Sequence, residues 1–242
     1  MKLHIIQHES FEKPGSYLDW ALKRGHQVSW TKCYLGEKVP SSSENYDALL
    51  IMGGPQSPDT SKAECPYFDS EAEISLIKSF SEKDKLIIGV CLGAQLIGKA
   101  LGARHEKSPE KEIGTIRLCL TEEGLKDKYL GPLGKEFDSS SWHNDMPGLT
   151  EKSKILAYSQ GCPRQIIRYS KWIYGFQCHM EFTTDLIQSL IKESSADLED
   201  SGKRPFVQSP QQLLSFDYSE MNKKLWNFLD SLTSDYLLSL NN

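Results

Sequence analysis

The sequence predicts an α/β fold: a three-layer sandwich with a mostly parallel central sheet, plus a helical C-terminal appendage. Three observations carry that expectation. Leu86, Ile87, Ile88 and Val90 form a nearly continuous apolar run, the pattern of a strand buried on both faces of a parallel sheet. At Cys91 the run passes straight into apolar positions of helical period, Leu92, Leu96, Ile97, Ala100 and Leu101. Upstream, strand-like and helix-like stretches alternate with short connections, as in parallel sheets covered by helices on both faces.

Taken in order, residues 3–7 (LHIIQ) read as a first strand and Pro14–Gly25 as a helix with proline in its first turn and glycine at its end. Gln27–Cys33 alternates as a second strand, and Asp47–Met52 is a third that lands on Gly53-Gly54-Pro55. Ser70–Phe80 has amphipathic helical spacing through Ile74, Leu76, Ile77 and Phe80, and leads into the central strand. After Gly102 the character shifts. Gly114–Thr121, Lys154–Ser159, Gln165–Tyr169 and Trp172–Cys178 are expected as strands, an antiparallel extension before the sheet is rejoined. From Thr183 the tail is helical, with Asp185–Lys192 and Tyr218–Leu238 as helices and a polar link with two prolines, residues 195–212, running over the surface. The expected organisation is one domain over 1–182, with 183–242 a helical extension packed on it.

Composition removes several function classes. Lys and Arg number 28 against 33 Asp and Glu, a net charge of −5, with no basic stripe for nucleic acid. No apolar run approaches the roughly 18 residues of a membrane span. The N-terminus, MKLHIIQHES, enters a strand pattern without the apolar core and cleavage site of a signal peptide. The six cysteines, Cys33, Cys65, Cys91, Cys119, Cys162 and Cys178, form no CxxC pair and no disulfide framework, so a reducing cytoplasm is the expected location. Cys162, Cys178 and His179 lack metal-ligand spacing, and no cofactor is expected.

The chemistry centres on Cys91. Gly89 and Gly93 flank it at two residues on either side, leaving room for a tight bend. A thiol held there sits at a helix N-terminus, where unpaired N–H groups and the helix dipole favour thiolate. A cysteine nucleophile needs a base, and the base an orienting partner. The stretch GFQCHMEF (175–182) offers both: in extended backbone His179 and Glu181 point to one side. Glu181 would accept a hydrogen bond from one ring nitrogen while the other faces Cys91, and its charge would favour imidazolium. Cys178 would face the opposite way and pack in the core. His4 and His8, flanking the first strand, read as structural, and the Leu225, Leu229, Leu232 and Leu237 stripe as core packing.

The stretches GGPQS (53–57), GVCLGAQLIGKALG (89–102) and GFQCHMEF (175–182), in that order, resemble class I glutamine amidotransferase domains, most of all the amidotransferase half of GMP synthase and its stand-alone relatives. The resemblance covers about residues 1–182 and implies a flavodoxin-like fold. It implies Cys91 as nucleophile, His179 as general base and acid, Glu181 as orienting carboxylate, and the N–H groups of Gly54 and Leu92 as the oxyanion hole. It implies that Gln95 helps hold the substrate. WHND (142–145) matches a weaker S-H-G-D motif that touches the substrate: His143 and Asp145 agree, and Asn144 replaces glycine, which alters the pocket. Met180 stands where the family usually has proline, with the H-x-E spacing intact.

The function implied is hydrolysis of the glutamine side-chain amide through a glutamyl thioester, releasing ammonia and glutamate. No GxxxxGK[ST] nucleotide-binding motif is present. The ammonia is therefore expected to pass to a separate synthetase subunit, unless the protein acts alone. The alternatives are a stand-alone hydrolase of γ-glutamyl peptides or conjugates, which the change at Asn144 would suit, and a catalytically silent binding module of the same fold. Intact Cys91, His179 and Glu181 argue against silence.

Overall fold

The computed structural model describes residues 1–240; residues 241–242, the end of the expected extension, lie outside the described residues. The chain begins with strand β1 (Lys2–Gln7), helix α1 (Ser16–Lys23), β2 (Gln27–Lys32) and β3 (Ala48–Ile51). Helix α2 (Ser70–Glu82), whose Asp69 side chain accepts from the Ala72 N–H as an N-cap, leads to β4 (Leu86–Val90) and α3 (Leu92–Ala100). There follow β5 (Glu106–Leu120), α4 (Glu122–Lys126), β6 (Glu136–Met146), β7 (Lys154–Tyr158), β8 (Ile166–Ser170) and β9 (Ile173–Phe176). The tail holds α5 (Thr184–Glu193), α6 (Pro210–Ser215) and α7 (Ser219–Ser239).

All nine strands form one sheet in the order β2-β1-β3-β4-β9-β8-β7-β5-β6. The pairings β1 with β2, β1 with β3, β3 with β4 and β4 with β9 are parallel, so this half has the flavodoxin-like order with β9 as fifth strand. From β9 outward the ladder is antiparallel. The sheet is thus extended after Gly102 and rejoined at β4, as the sequence pattern implies.

Strand alternation makes the three layers. Along β3, Ala48 and Leu50 pack into one apolar cluster with α1, α5 and α7, while Leu49 and Ile51 pack into the other with α2 and α3. Leu225, Leu229 and Leu232 of α7 are buried, and Phe228 meets Tyr174 and Phe176 edge-on at 5.3 and 5.2 Å between centroids. No helix among the described residues is long and apolar enough to cross a membrane.

Two regions differ from the expectation. Strand β5 starts at Glu106 rather than Gly114, its first half interrupted by a register shift between Lys107 and Glu112, and β6 was not expected as a strand. Residues 195–212 do more than run over the surface. Leu198 and Val207 are buried, Val207 bridges Ile113 in parallel, and Ser209 and Gln212 form a capping box on α6.

Candidate active site

Parallel sheets bind ligands at the carboxyl ends of their strands, beside a switch in strand order. Here the segments leaving β1, β3, β4 and β9 meet at that edge around one pocket of about 880 Å³, counting its open mouth.

Cys91 joins β4 to α3 with φ 51° and ψ −108°, one of two non-glycine residues at positive φ among the described residues. The bend holds because its flanks are glycine: a Cβ on Gly89 would lie 2.5 Å from the Gly93 backbone, and one on Gly93 would run into the Ile51 carbonyl. The Cys91 N–H donates to Phe176 O at 2.7 Å, tying the turn to β9, and Sγ lies 3.9 Å from Trp142 O.

His179 follows β9 by three residues, its N–H donating to Ser140 O of β6 at 2.7 Å. Its Nδ1 meets Glu181 Oε1 at 2.7 Å, both side chains buried, and its ring stacks on Phe182 at 4.3 Å between centroids. Nε2 has no hydrogen-bond partner among the described residues. A Cβ on Gly53 would stand 3.4 Å from Cys91 Cβ and 3.5 Å from His179 Cε1, so thiol and imidazole rest against the same glycine. Burial opposes charge on His179, but the carboxylate of Glu181 and the nearby Cys91 outweigh it and raise its pKa to about 10. Cys178 is fully buried, and burial pushes its thiol up.

The N–H groups of Gly54 and Leu92 donate to no other group among the described residues. A Cβ on Gly54 would lie 2.9 Å from Leu92 Cδ2, so the two residues are in close contact. Gln95 is buried at the pocket wall and donates to Gln177 Oε1 at 3.1 Å. Asn144 is exposed at the rim, and Asp145 beside it pairs with Lys107 at 2.7 Å. His143 also borders the pocket, but its Nε2 is engaged 3.3 Å from Glu112 and 3.3 Å from the Gln165 amide, in a buried polar group with Ser159.

The family model for class I glutamine amidotransferases matches residues 18–195, a span that contains every one of these residues. The chain belongs to the class I glutamine amidotransferase family. It is 48% identical over 233 residues, 96% of this chain and 98% of the relative, to the glutamine amidotransferase-like protein YfeJ of Salmonella typhimurium. The crystal structure of SMU.1228c superposes with a TM-score of 0.94 at 50% identity, covering 96% of this chain and all of that one. A subunit of the glutamine-hydrolysing GMP synthase of Methanococcus maripaludis is 28% identical over 194 residues, 72% of this chain and 94% of that one.

In this family member, residues that motif reading did not pick out also line the pocket or back it. Glu12, from the loop after β1, packs its carboxylate against Gly53; burial pushes it up to about 7, against the pull of His179 and His8. Its place after a parallel strand was the available signal. Lys111 and Asp197 close the far rim, Lys111 Nζ bonding Asp197 O at 2.8 Å and Asp197 Oδ2 accepting from Trp142 Nε1 at 3.0 Å. Asn222 of α7 donates to Met180 O and Phe182 O at 2.8 and 3.0 Å, bracketing Glu181 from behind.

Proposed function

We propose that this amidotransferase-family chain is a cysteine amidase that hydrolyses the side-chain amide of glutamine, or of a γ-glutamyl compound, through a thioester at Cys91. One observation carries the reading: Cys91 and His179 share Gly53 as a neighbour, with His179 Nδ1 held by Glu181 and Nε2 unpartnered. An imidazolium beside a cysteine at a helix N-terminus is the arrangement in which the sulfur attacks as thiolate.

The thiolate adds to the carboxamide carbon, and the carbonyl electrons move onto oxygen. Gly54 N–H and Leu92 N–H stabilise that oxyanion; losing one such donor costs roughly 3–4 kcal/mol of barrier. His179 gives its Nε2 proton to the departing nitrogen, the C–N bond breaks, and ammonia or an amine leaves. His179 then takes a proton from water, whose oxygen displaces sulfur and yields glutamate. Glu181 fixes the ring, Gln95 orients the glutamyl group, and Asn144 and Asp145, with His143 behind them, shape the mouth.

The similarity to a component of GMP synthase supports transfer of the ammonia to a separate synthetase subunit. A second reading, a stand-alone γ-glutamyl peptide or conjugate hydrolase, is favoured by the rim. There the exposed Asn144 and the Trp142–Asp197–Lys111 group set polar contacts beyond the thiol. Glutamate release by the isolated protein, from glutamine and a panel of γ-glutamyl dipeptides, tests both. Release from either class, abolished by Cys91→Ala, is expected, and absence of release from every compound overturns the amidase reading. A kcat/KM at least a hundredfold higher for dipeptides, about 2.7 kcal/mol, selects the second reading.

A further inference from the structure

His8 lies at the end of β1 and is fully buried. Its Nδ1 is 2.8 Å from Gly53 O, and its Nε2 is 3.1 Å from both carboxylate oxygens of Glu73 on α2. A carbonyl can only accept, so Nδ1 carries a proton and donates to Gly53 O, while Glu73 holds the ring from its other nitrogen. The groups facing it are Glu73 from α2, Glu12 from the loop after β1, the Phe68 ring, and Cys33 after β2. Burial opposes its charge, but Glu73, the hydrogen bonds to Glu73 and Gly53, and Glu12 hold its pKa above the ordinary value. His8, Cys33 and Glu73 also bring potential metal ligands within 4.8 Å of one another, but both His8 nitrogens are already spent.

A buried ion pair adds little net stability by itself. What distinguishes this one is where its remaining hydrogen bond goes. In a trans peptide the C=O of one residue and the N–H of the next point in opposite directions, and the described residues contain no cis bond. Holding Gly53 O toward His8 therefore turns the Gly54 N–H the other way, off the His8 side and toward the pocket that Gly54 lines. Gly53 and Gly54 lack a Cβ to resist rotation, so this peptide needs an external hold more than most. We propose that the buried His8–Glu73 pair is a positioning device that locks the Gly53–Gly54 peptide with its N–H available to the substrate oxyanion. This rests on the amidase reading, in which Gly54 N–H is an oxyanion donor.

The test compares two double variants on one background, so that no charge is left buried alone. His8→Asn/Glu73→Gln keeps an N–H donor near Gly53 O, and His8→Leu/Glu73→Gln removes it. The Asn variant should keep kcat within about tenfold of wild type, and the Leu variant should lose about 10²–10³ in kcat with KM within about threefold. Alkylation of Cys91 by iodoacetamide, which develops no carbonyl oxyanion, should run at equal rates in both. Equal kcat in the two variants, or kcat and alkylation falling together in the Leu variant, overturns the proposal. Should the wild type hydrolyse no γ-glutamyl amide, the amidase reading fails. The orientation of the Gly53–Gly54 peptide in a crystal structure of the Leu variant then decides the lock: rotated supports it, unmoved overturns it. Should the Leu variant not fold, ¹⁵N NMR of the wild-type His8 ring decides: a protonated Nδ1 at neutral pH supports the lock, and a bare Nδ1 overturns it.

Discussion

Asn222→Ala separates the role of α7 from simple core packing. The Asn222 amide donates to Met180 O and Phe182 O at 2.8 and 3.0 Å, from positions 42 and 40 residues further along the chain. Both acceptors belong to buried residues, and Phe182 stacks on the His179 ring. Each hydrogen bond is worth about 1 kcal/mol net, and a buried carbonyl left unpaired costs about 1–3 kcal/mol, so a loss near 2 kcal/mol follows. For a chain of this size that is a fall of roughly 4–8 °C in Tm. The catalytic consequence exceeds the thermal one, because these bonds bracket Glu181 and set the height of the H-x-E segment against Cys91. A displacement of about 1 Å there costs on the order of 10²-fold in rate. Thermal unfolding followed by circular dichroism, with steady-state hydrolysis well below the new Tm, measures both. A Tm within about 1 °C of wild type, with kcat unchanged, refutes the argument that α7 holds the relay in place.

Two further outcomes follow from the site. His179 has its pKa raised to about 10 in the folded chain, so the stability its charge contributes is fully present below about 6.5 and is lost as pH rises toward 10. Glu181→Gln should flatten the decline of Tm between those pH values, and a curve parallel to wild type refutes the coupling. Gly93→Ala forces a Cβ onto the Ile51 carbonyl, a backbone atom that cannot step aside, so the elbow must shift. It should cost about 1–3 kcal/mol of stability in denaturant titration and lose turnover well beyond that fraction; unimpaired kcat refutes the need for glycine there.

How far each part could be read from sequence follows from how local its cause is. The β4–Cys91–α3 elbow was legible because strand, bend and helix are contiguous and both flanking glycines answer to clashes at the turn. The spacing of two marked His179 and Glu181 as neighbours, and their side chains do meet at 2.7 Å, but through bends after β9 rather than on the extended backbone that the pattern implies. Strand β6 was not legible: its middle is Ser139, Ser140 and Ser141, buried hydroxyls with no apolar alternation to mark them. The rim was not legible either, since Lys111, Trp142 and Asp197 meet across 86 and 55 residues of sequence. His8 read as structural at a strand end, and nothing in the sequence singles out its partner Glu73 among the acids of the chain. Only the fold shows that Glu73 is buried and aimed at His8.

The central claim, that Cys91 is the nucleophile, is tested most directly by a glutamine-like chloroketone applied to the intact protein near neutral pH, followed by peptide mass spectrometry. Burial pushes the Cys162 thiol up to about 11 and raises Cys33 and Cys178 further, so these remain thiols under those conditions. The account predicts one label per chain, at Cys91, slowed by excess glutamine and abolished with Cys91→Ala. Labelling first at Cys65, Cys119 or any other cysteine, with Cys91 untouched, would contradict it.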